Sequence, residues 1–114
     1  MVEVKRGEVF WINLDPTIGS EIRKTRPCVV VSNDLANKFS PLITIVPVTT
    51  QRLEDIYLHE VMLTSIGKLK NSKVKVHQIR TIDKRRVGRK ILTLPQTTMQ
   101  KIDWALANHL DLVE

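Results

Sequence analysis

The hydrophobic pattern is organised around residues 25–34, TRPCVVVSND. Cys28 to Val31 is a continuous apolar, mostly β-branched run, the makeup of a strand buried on both faces. Pro27 fixes the chain direction at its entrance, directly after the guanidinium of Arg26. Asn33 and Asp34 end the run with turn chemistry. A charge on the lip of a rigid central strand is either a structural ion-pair partner or a functional group aimed into a groove.

The rest of the chain falls into short blocks. Residues 8–14 (EVFWINL) are aromatic and β-branched and predict a first strand, broken by Asp15-Pro16. The connection 15–26 is far longer than the roughly two to five residues of a hairpin loop. It carries Gly19, Ser20, Glu21, Arg23 and Lys24, the polar, mixed-charge content of a loop that meets a ligand. Residues 27–32 are the second strand. Residues 34–40 (DLANKFS) predict one helical turn, with Asp34 placed to cap it. Residues 42–48 (LITIVPV) predict a third strand, whose Pro47 argues for an edge or a bulge. Thr49 follows at its exit and is, by propensity, an ordinary β residue.

Residues 57–63 (YLHEVML) predict a fourth strand, and Gly67 marks a turn. Residues 72–79 (SKVKVHQI) alternate, with Val74, Val76 and Gln78 on one face and Lys73, Lys75 and His77 on the other. That is a half-buried antiparallel strand with a basic outer face. A short helical turn over 83–87 and a last strand over 90–94 follow. Beyond Pro95, Thr97 and Gln100 have the spacing of a capping box, and Met99, Ile102, Leu106 and Leu110 recur at helical spacing as a core stripe. The pattern predicts one mainly β (α+β) domain over 1–114, a small barrel-like fold of antiparallel strands with short helical turns and a C-terminal helix.

Composition narrows this picture. The chain of 114 residues supports one core, and its 42% hydrophobic and 26% charged residues suit a soluble globular protein. Cys28 is the single cysteine, which excludes a disulfide framework or a cysteine zinc cluster and leaves a small core residue. The N-terminus is charged from Glu3 and has no small-residue cleavage site, unlike a secretory signal. No apolar run approaches the ~20 residues of a membrane span, so a reducing cytoplasm is the expected compartment. Net charge is +6, and between Lys68 and Lys90 ten basic residues stand against one acid, Asp83. Two readings stay open, a solvated basic surface and a partner with a phosphate backbone. A membrane surface fits less well, because the stretch has no amphipathic helical period.

No Gly-rich phosphate loop, His-Glu metal pattern or Gly-x-Ser-x-Gly elbow occurs. His59, His77 and His109 are scattered, so a metal site or an acid–base pair built from them requires tertiary coincidence. What remains is Arg26 at the entrance of the second strand and Thr49 at the exit of the third. If those strands are antiparallel neighbours, both residues lie at one edge, with a fixed cation beside a hydroxyl donor suited to a phosphorane carrying extra negative charge. Spacing alone does not single them out.

Three segments do. Gly19-Ser20-Glu21, the pattern T-R-P-x-x-V-x-S-N-D over 25–34, and Q-I-R-T-I-D over 78–83 occur in order within a match running from Arg6 to the terminal helix. Together they resemble the MazF/PemK type of toxin from bacterial toxin–antitoxin pairs. The resemblance implies an SH3-like barrel, working as a homodimer without metal or other cofactor, that cuts single-stranded RNA, chiefly mRNA, at short sequence motifs. It implies Arg26 and Thr49 as the catalytic pair. The RNA 2′-hydroxyl attacks the adjacent phosphate, giving a 2′,3′-cyclic phosphate and a 5′-hydroxyl. RNA contact is expected from Gly19, Ser20, Glu21, Arg23, Lys24, Asn33, Lys75, His77, Gln78 and Arg80. An acidic, partly disordered antitoxin is the implied protein partner. The chain departs from the family at His77, where an acid is common, and in the added cations of Glu21-Ile22-Arg23-Lys24. Two other classes stay open: a non-enzymatic toxin of the same fold that poisons DNA gyrase, and a plain RNA-binding barrel.

Overall fold

The computed structural model describes residues 3–112; residues 1–2 and 113–114 of the expected domain lie outside it. The described residues hold seven strands: β1 (Glu8–Asn13), β2 (Thr25–Val30), β3 (Leu42–Thr49), β4 (Glu60–Leu63), β5 (Ser72–Lys75), β6 (Arg80–Asp83) and β7 (Val87–Thr93). Two helices complete them, α1 (Asp34–Phe39) and α2 (Gln96–His109), with single 3₁₀ turns at Val76–Gln78 and Lys84–Arg86. The strands form one antiparallel sheet in the order β4-β5-β3-β2-β1-β7, with β6 also paired to β3. The expected mainly antiparallel architecture with a C-terminal helix is present. The sheet is open rather than a closed barrel, since the strands ending its order, β4 and β7, have no pairing with each other among the described residues.

Alternation along β1, β2 and β3 feeds two cores. Val9, Val29, Val31, Val46 and Val48 point to one, where Met99, Ile102 and Ala105 of α2 pack. Phe10, Ile12, Cys28, Val30, Ile43 and Ile45 point to the other, completed by Val4, Leu14 and Ile82. A strand covered on both sides has no need of alternating polarity, which is why 28–31 is apolar throughout. Cys28 is buried and free, and burial pushes its thiol up to about 12.

Four local expectations change. Pro47 lies in an internal strand, not at an edge: on one side of β3, pairing to β6 ends at Ile45 and pairing to β5 starts at Val48. The proline occupies the gap, where its missing N–H costs the ladder nothing. Asn33, not Asp34, caps α1, its side chain accepting from the Ala36 N–H at 2.8 Å. The capping box at Thr97 does not form, because the extended Pro95 is itself the cap and α2 begins at Gln96. The expected strand over 72–79 ends at Lys75 and gives way to the 3₁₀ turn at Val76–Gln78, beyond which β6 begins, so its faces do not run straight through.

The stripe on α2 is likewise shifted: Met99, Ile102 and Ala105 are buried and Leu110, the residue that ends the helix, is 47% exposed. Ile102→Ala is therefore expected to lower unfolding free energy by about 2–5 kcal/mol, and Leu110→Ala to stay within about 0.5 kcal/mol. Urea denaturation of both variants checks this, and equal losses would contradict the assigned packing.

Candidate functional site

The pairing of β2 with β3 ends with Cys28 opposite Pro47; Arg26 and Thr49 lie two residues further along their strands, where the same register, continued, would set them across from each other. Both are half-buried at the strand ends. Arg26 is also paired to Ile12 of β1, so its backbone is held from the neighbouring strand. Its Nε donates to the Arg23 carbonyl at 3.2 Å, and among the described residues its Nη amines have no partner. Thr49 Oγ1 accepts from the Gln51 N–H at 3.2 Å, which leaves the hydroxyl proton free to be donated. A planar guanidinium and a hydroxyl donor thus stand at one edge of a rigid sheet, an arrangement suited to an anion with several oxygens.

Two grooves flank the end of β3. One, of about 380 Å3, is lined by Leu14, Ser20, Glu21, Ile45, Pro47, His77, Gln78 and Arg80. The other, of about 290 Å3, is lined by Trp11, Thr25, Arg26, Pro27, Val48, Thr50, Lys68 and Lys70 among others. Successive strand residues face opposite ways, so Pro47 belongs to the first groove and Val48 to the second.

The expected RNA contacts divide accordingly. Ser20, Glu21, His77, Gln78 and Arg80 share the first groove. Several of them also hold the long β1–β2 connection in shape. Gln78 Oε1 accepts from the Ile22 N–H at 2.8 Å, Glu21 Oε1 from the Ile18 N–H at 2.8 Å, and Arg80 Nη1 donates to the Leu14 carbonyl at 2.7 Å. Gly19 turns the loop with φ +59° and open space around it. Arg23 and Lys24 are exposed on the same connection. Asn33 is not brought to either groove; it lies beyond the other end of β2 from Arg26 and is used as the cap of α1. Lys68, Lys70 and Trp11 line the second groove without having been singled out, and only the excess of cations over 68–90 hinted at the two lysines.

The expected basic outer face of β5 is corrected by its neighbours. Lys73 is buried against Glu60, and Lys75 is three-quarters buried with its Nζ 3.3 Å from the same carboxylate. Burial raises the Glu60 carboxyl, but the Tyr57 N–H and both lysines outweigh it and hold the group below the usual range. Elsewhere in the basic stretch Arg85 pairs with Asp83, Lys90 with Glu8, and Arg86 reaches the carbonyls of Asn13 and Asp15. Much of the local charge is therefore spent inside the fold.

His77 packs its ring 3.9 Å from that of His59 and 6.3 Å from that of His109, centroid to centroid, while the His59 ring stacks on Tyr57. Its Nδ1 is buried without a partner among the described residues. Burial, then His59 and Lys75, hold His77 below the ordinary imidazole value, against the opposing pull of Glu60. A depressed folded value means that the unfolded chain takes up the proton first. The stability tied to neutral His77 is thus complete above about pH 6.5 and is lost as pH falls through the folded value. His77→Gln is expected to lose less stability than the unaltered protein between about pH 7 and about pH 5. Urea midpoints at both pH values check it; identical shifts in the two proteins would remove His77 from the account.

The same architecture recurs in known proteins. The chain is 38% identical over 113 residues to endoribonuclease EndoA of Bacillus subtilis, covering 97% of each chain. It is 39% identical over 116 residues to endoribonuclease MazF9 of Mycobacterium tuberculosis, covering 96% of this chain and 98% of that one. Among solved structures, an endoribonuclease in complex with its cognate antitoxin from Mycobacterial species superposes with a TM-score of 0.82 at 25% identity, over 97% of this chain and 98% of that one. MazF from Deinococcus radiodurans shares the fold with a TM-score of 0.87 at 24% identity, over 97% of this chain and 99% of that one. A family-wide profile described as PemK-like, MazF-like toxin of type II toxin-antitoxin system matches residues 5–110, and the chain belongs to that family.

Proposed function

We propose that Arg26 and Thr49 form the cleavage centre of this chain, an endoribonuclease toxin neutralised by a cognate antitoxin. The β2–β3 register, continued to the strand ends, is the observation that carries the assignment. The substrate is single-stranded RNA, whose unstacked bases enter the groove of Ser20, Glu21, His77, Gln78 and Arg80. Lys68 and Lys70, beside Arg26, lie along the path of the phosphate backbone.

In the reaction the 2′-oxygen bonds to the adjacent phosphorus and the bond to the 5′-oxygen breaks. The 2′-hydroxyl gives up one proton and the leaving 5′-oxygen gains one, so a 2′,3′-cyclic phosphate and a 5′-hydroxyl result. Negative charge builds on the non-bridging oxygens as the bond forms. The Nη amines of Arg26 hold two of them, pinned through Nε to the Arg23 carbonyl, and the Thr49 hydroxyl donates to the same group. A guanidinium stays protonated, so Arg26 acts through its charge and its fork of donors. The chain works as a homodimer, and its net charge of +6 suits an acidic antitoxin segment that competes with RNA.

Arg26→Ala and Thr49→Ala are each expected to slow single-turnover cleavage at saturating enzyme by about 10² to 10³, with the fold intact. Activity is expected to persist in excess EDTA. Lys68→Ala with Lys70→Ala is the contrasting variant, weakening binding more at low salt while sparing the saturated rate. Wild-type rates in both single variants would overturn the centre, and activity lost to EDTA and restored by added metal would overturn the metal-free chemistry.

A further inference from the structure

The cleavage chemistry makes no use of the most deeply buried cation in the protein. Lys73 is 2% exposed, and its ammonium spends all three protons: on the Arg52 carbonyl at 2.8 Å, the Asp55 carbonyl at 2.7 Å and Glu60 Oε1 at 3.0 Å. The side chain of Glu60 is wholly buried, and its Oε1 also accepts from the Tyr57 N–H at 3.0 Å. The segment from Arg52 to Tyr57 contains no strand or helix, yet its backbone converges at three points on one buried ion pair. Arg52 sits at φ +52°, a left-handed conformation that an arginine does not choose by itself. The ion pair supplies what local preference lacks.

An ion pair taken out of water contributes little net stability, because desolvation offsets the attraction; what it supplies is a defined geometry. The geometry at stake is local. Lys73 is directly opposite Thr49 in the β3–β5 register, and the segment it ties down starts just beyond Thr50, which lines the groove of Arg26. We propose that Lys73 is a positioning residue for cleavage: by anchoring Arg52, Asp55 and Glu60 it holds the turn after β3, and with it the Thr49 hydroxyl and the Gln51 N–H, in place for the scissile phosphate. This inference rests on the reading of Thr49 given above. Lys73 touches no substrate and acts only through the segment it holds.

Lys73→Met alone strands a buried carboxylate, so the informative variant is Lys73→Met combined with Glu60→Gln, which removes both charges. Lys75 then loses its partner but is 25% exposed and reaches water. Single-turnover cleavage at saturating enzyme is expected to fall about tenfold or more, since small misplacements at a reacting centre are costly. Affinity for an RNA carrying a 2′-deoxy sugar at the scissile position is expected to stay within about twofold, as positioning acts on the chemical step and not on binding. A folded double variant that cleaves at the wild-type rate overturns the proposal, as does an equal loss of rate and affinity. Hydrogen exchange on the unaltered protein decides the matter if the variant does not fold. The Asp55 and Tyr57 amides are expected to be protected, and exchange at the rate of open chain overturns the anchoring. Arg26→Ala run in parallel separates the two levels: if it too cleaves normally, the cleavage centre is misassigned, whereas an inactive Arg26→Ala beside a fully active double variant removes only the role of Lys73.

Discussion

The antiparallel pairing of β2 with β3 holds Val29 against Val46 and Val30 against Ile45, and all four side chains are fully buried. Two of them face the core under α2 and two the core closed by β1 and β6. A slip of one residue by either strand would send its side chains to the opposite core, which is lined by different residues. Register is therefore specified twice over, once by each face. The strand ends inherit that precision, and a guanidinium and a hydroxyl rooted there vary in position far less than they would on a loop. Preorganisation of this kind is what stabilises charge that builds only in a transition state.

Around that frame the protein uses several of its cations as internal ties. Lys73 and Lys75 converge on Glu60, Lys90 on Glu8, and Arg85 on Asp83. Arg80 and Arg86 bind carbonyls at the end of β1 and so fix where the long connection departs. The ties also explain how an eleven-residue connection, 14–24, stays folded beside the groove. Leu14 and Lys24 close it backbone to backbone at 2.9 Å, and Gln78 holds its middle through Ile22. Arg26, Lys68 and Lys70, which have no acidic partner among the described residues, stand together along the second groove.

Much of this was legible in the chain itself. Apolar runs and β-branched residues marked β1, β2 and β3 to within two residues at their ends, because burial on both faces leaves a composition that no loop tolerates. Arg26-Pro27 and Thr49 could be placed at strand ends for the same reason, while the chemistry expected of them came only from the family resemblance. Helical periodicity located α2 but overran at Leu110, since periodicity says which side faces inward and not where the sheet beneath it stops.

What only the tertiary structure decided concerns neighbours. Residues 72–77 alternate, yet one side of β3 is shared by two partners on either side of Pro47, β6 at Leu42–Ile45 and β5 at Val48–Thr49. The chain must leave one position and enter the other, and the 3₁₀ turn at Val76–Gln78 makes that step. Lys73 falls on the polar side of the alternation and would be solvated on an isolated strand. It is buried because β4 and the segment after Thr49 fold over that side and bring a carboxylate and two carbonyls to meet it. Period-two alternation records the direction in which a side chain leaves the backbone; whether it finds water or an acceptor there depends on which distant segment the fold lays against it.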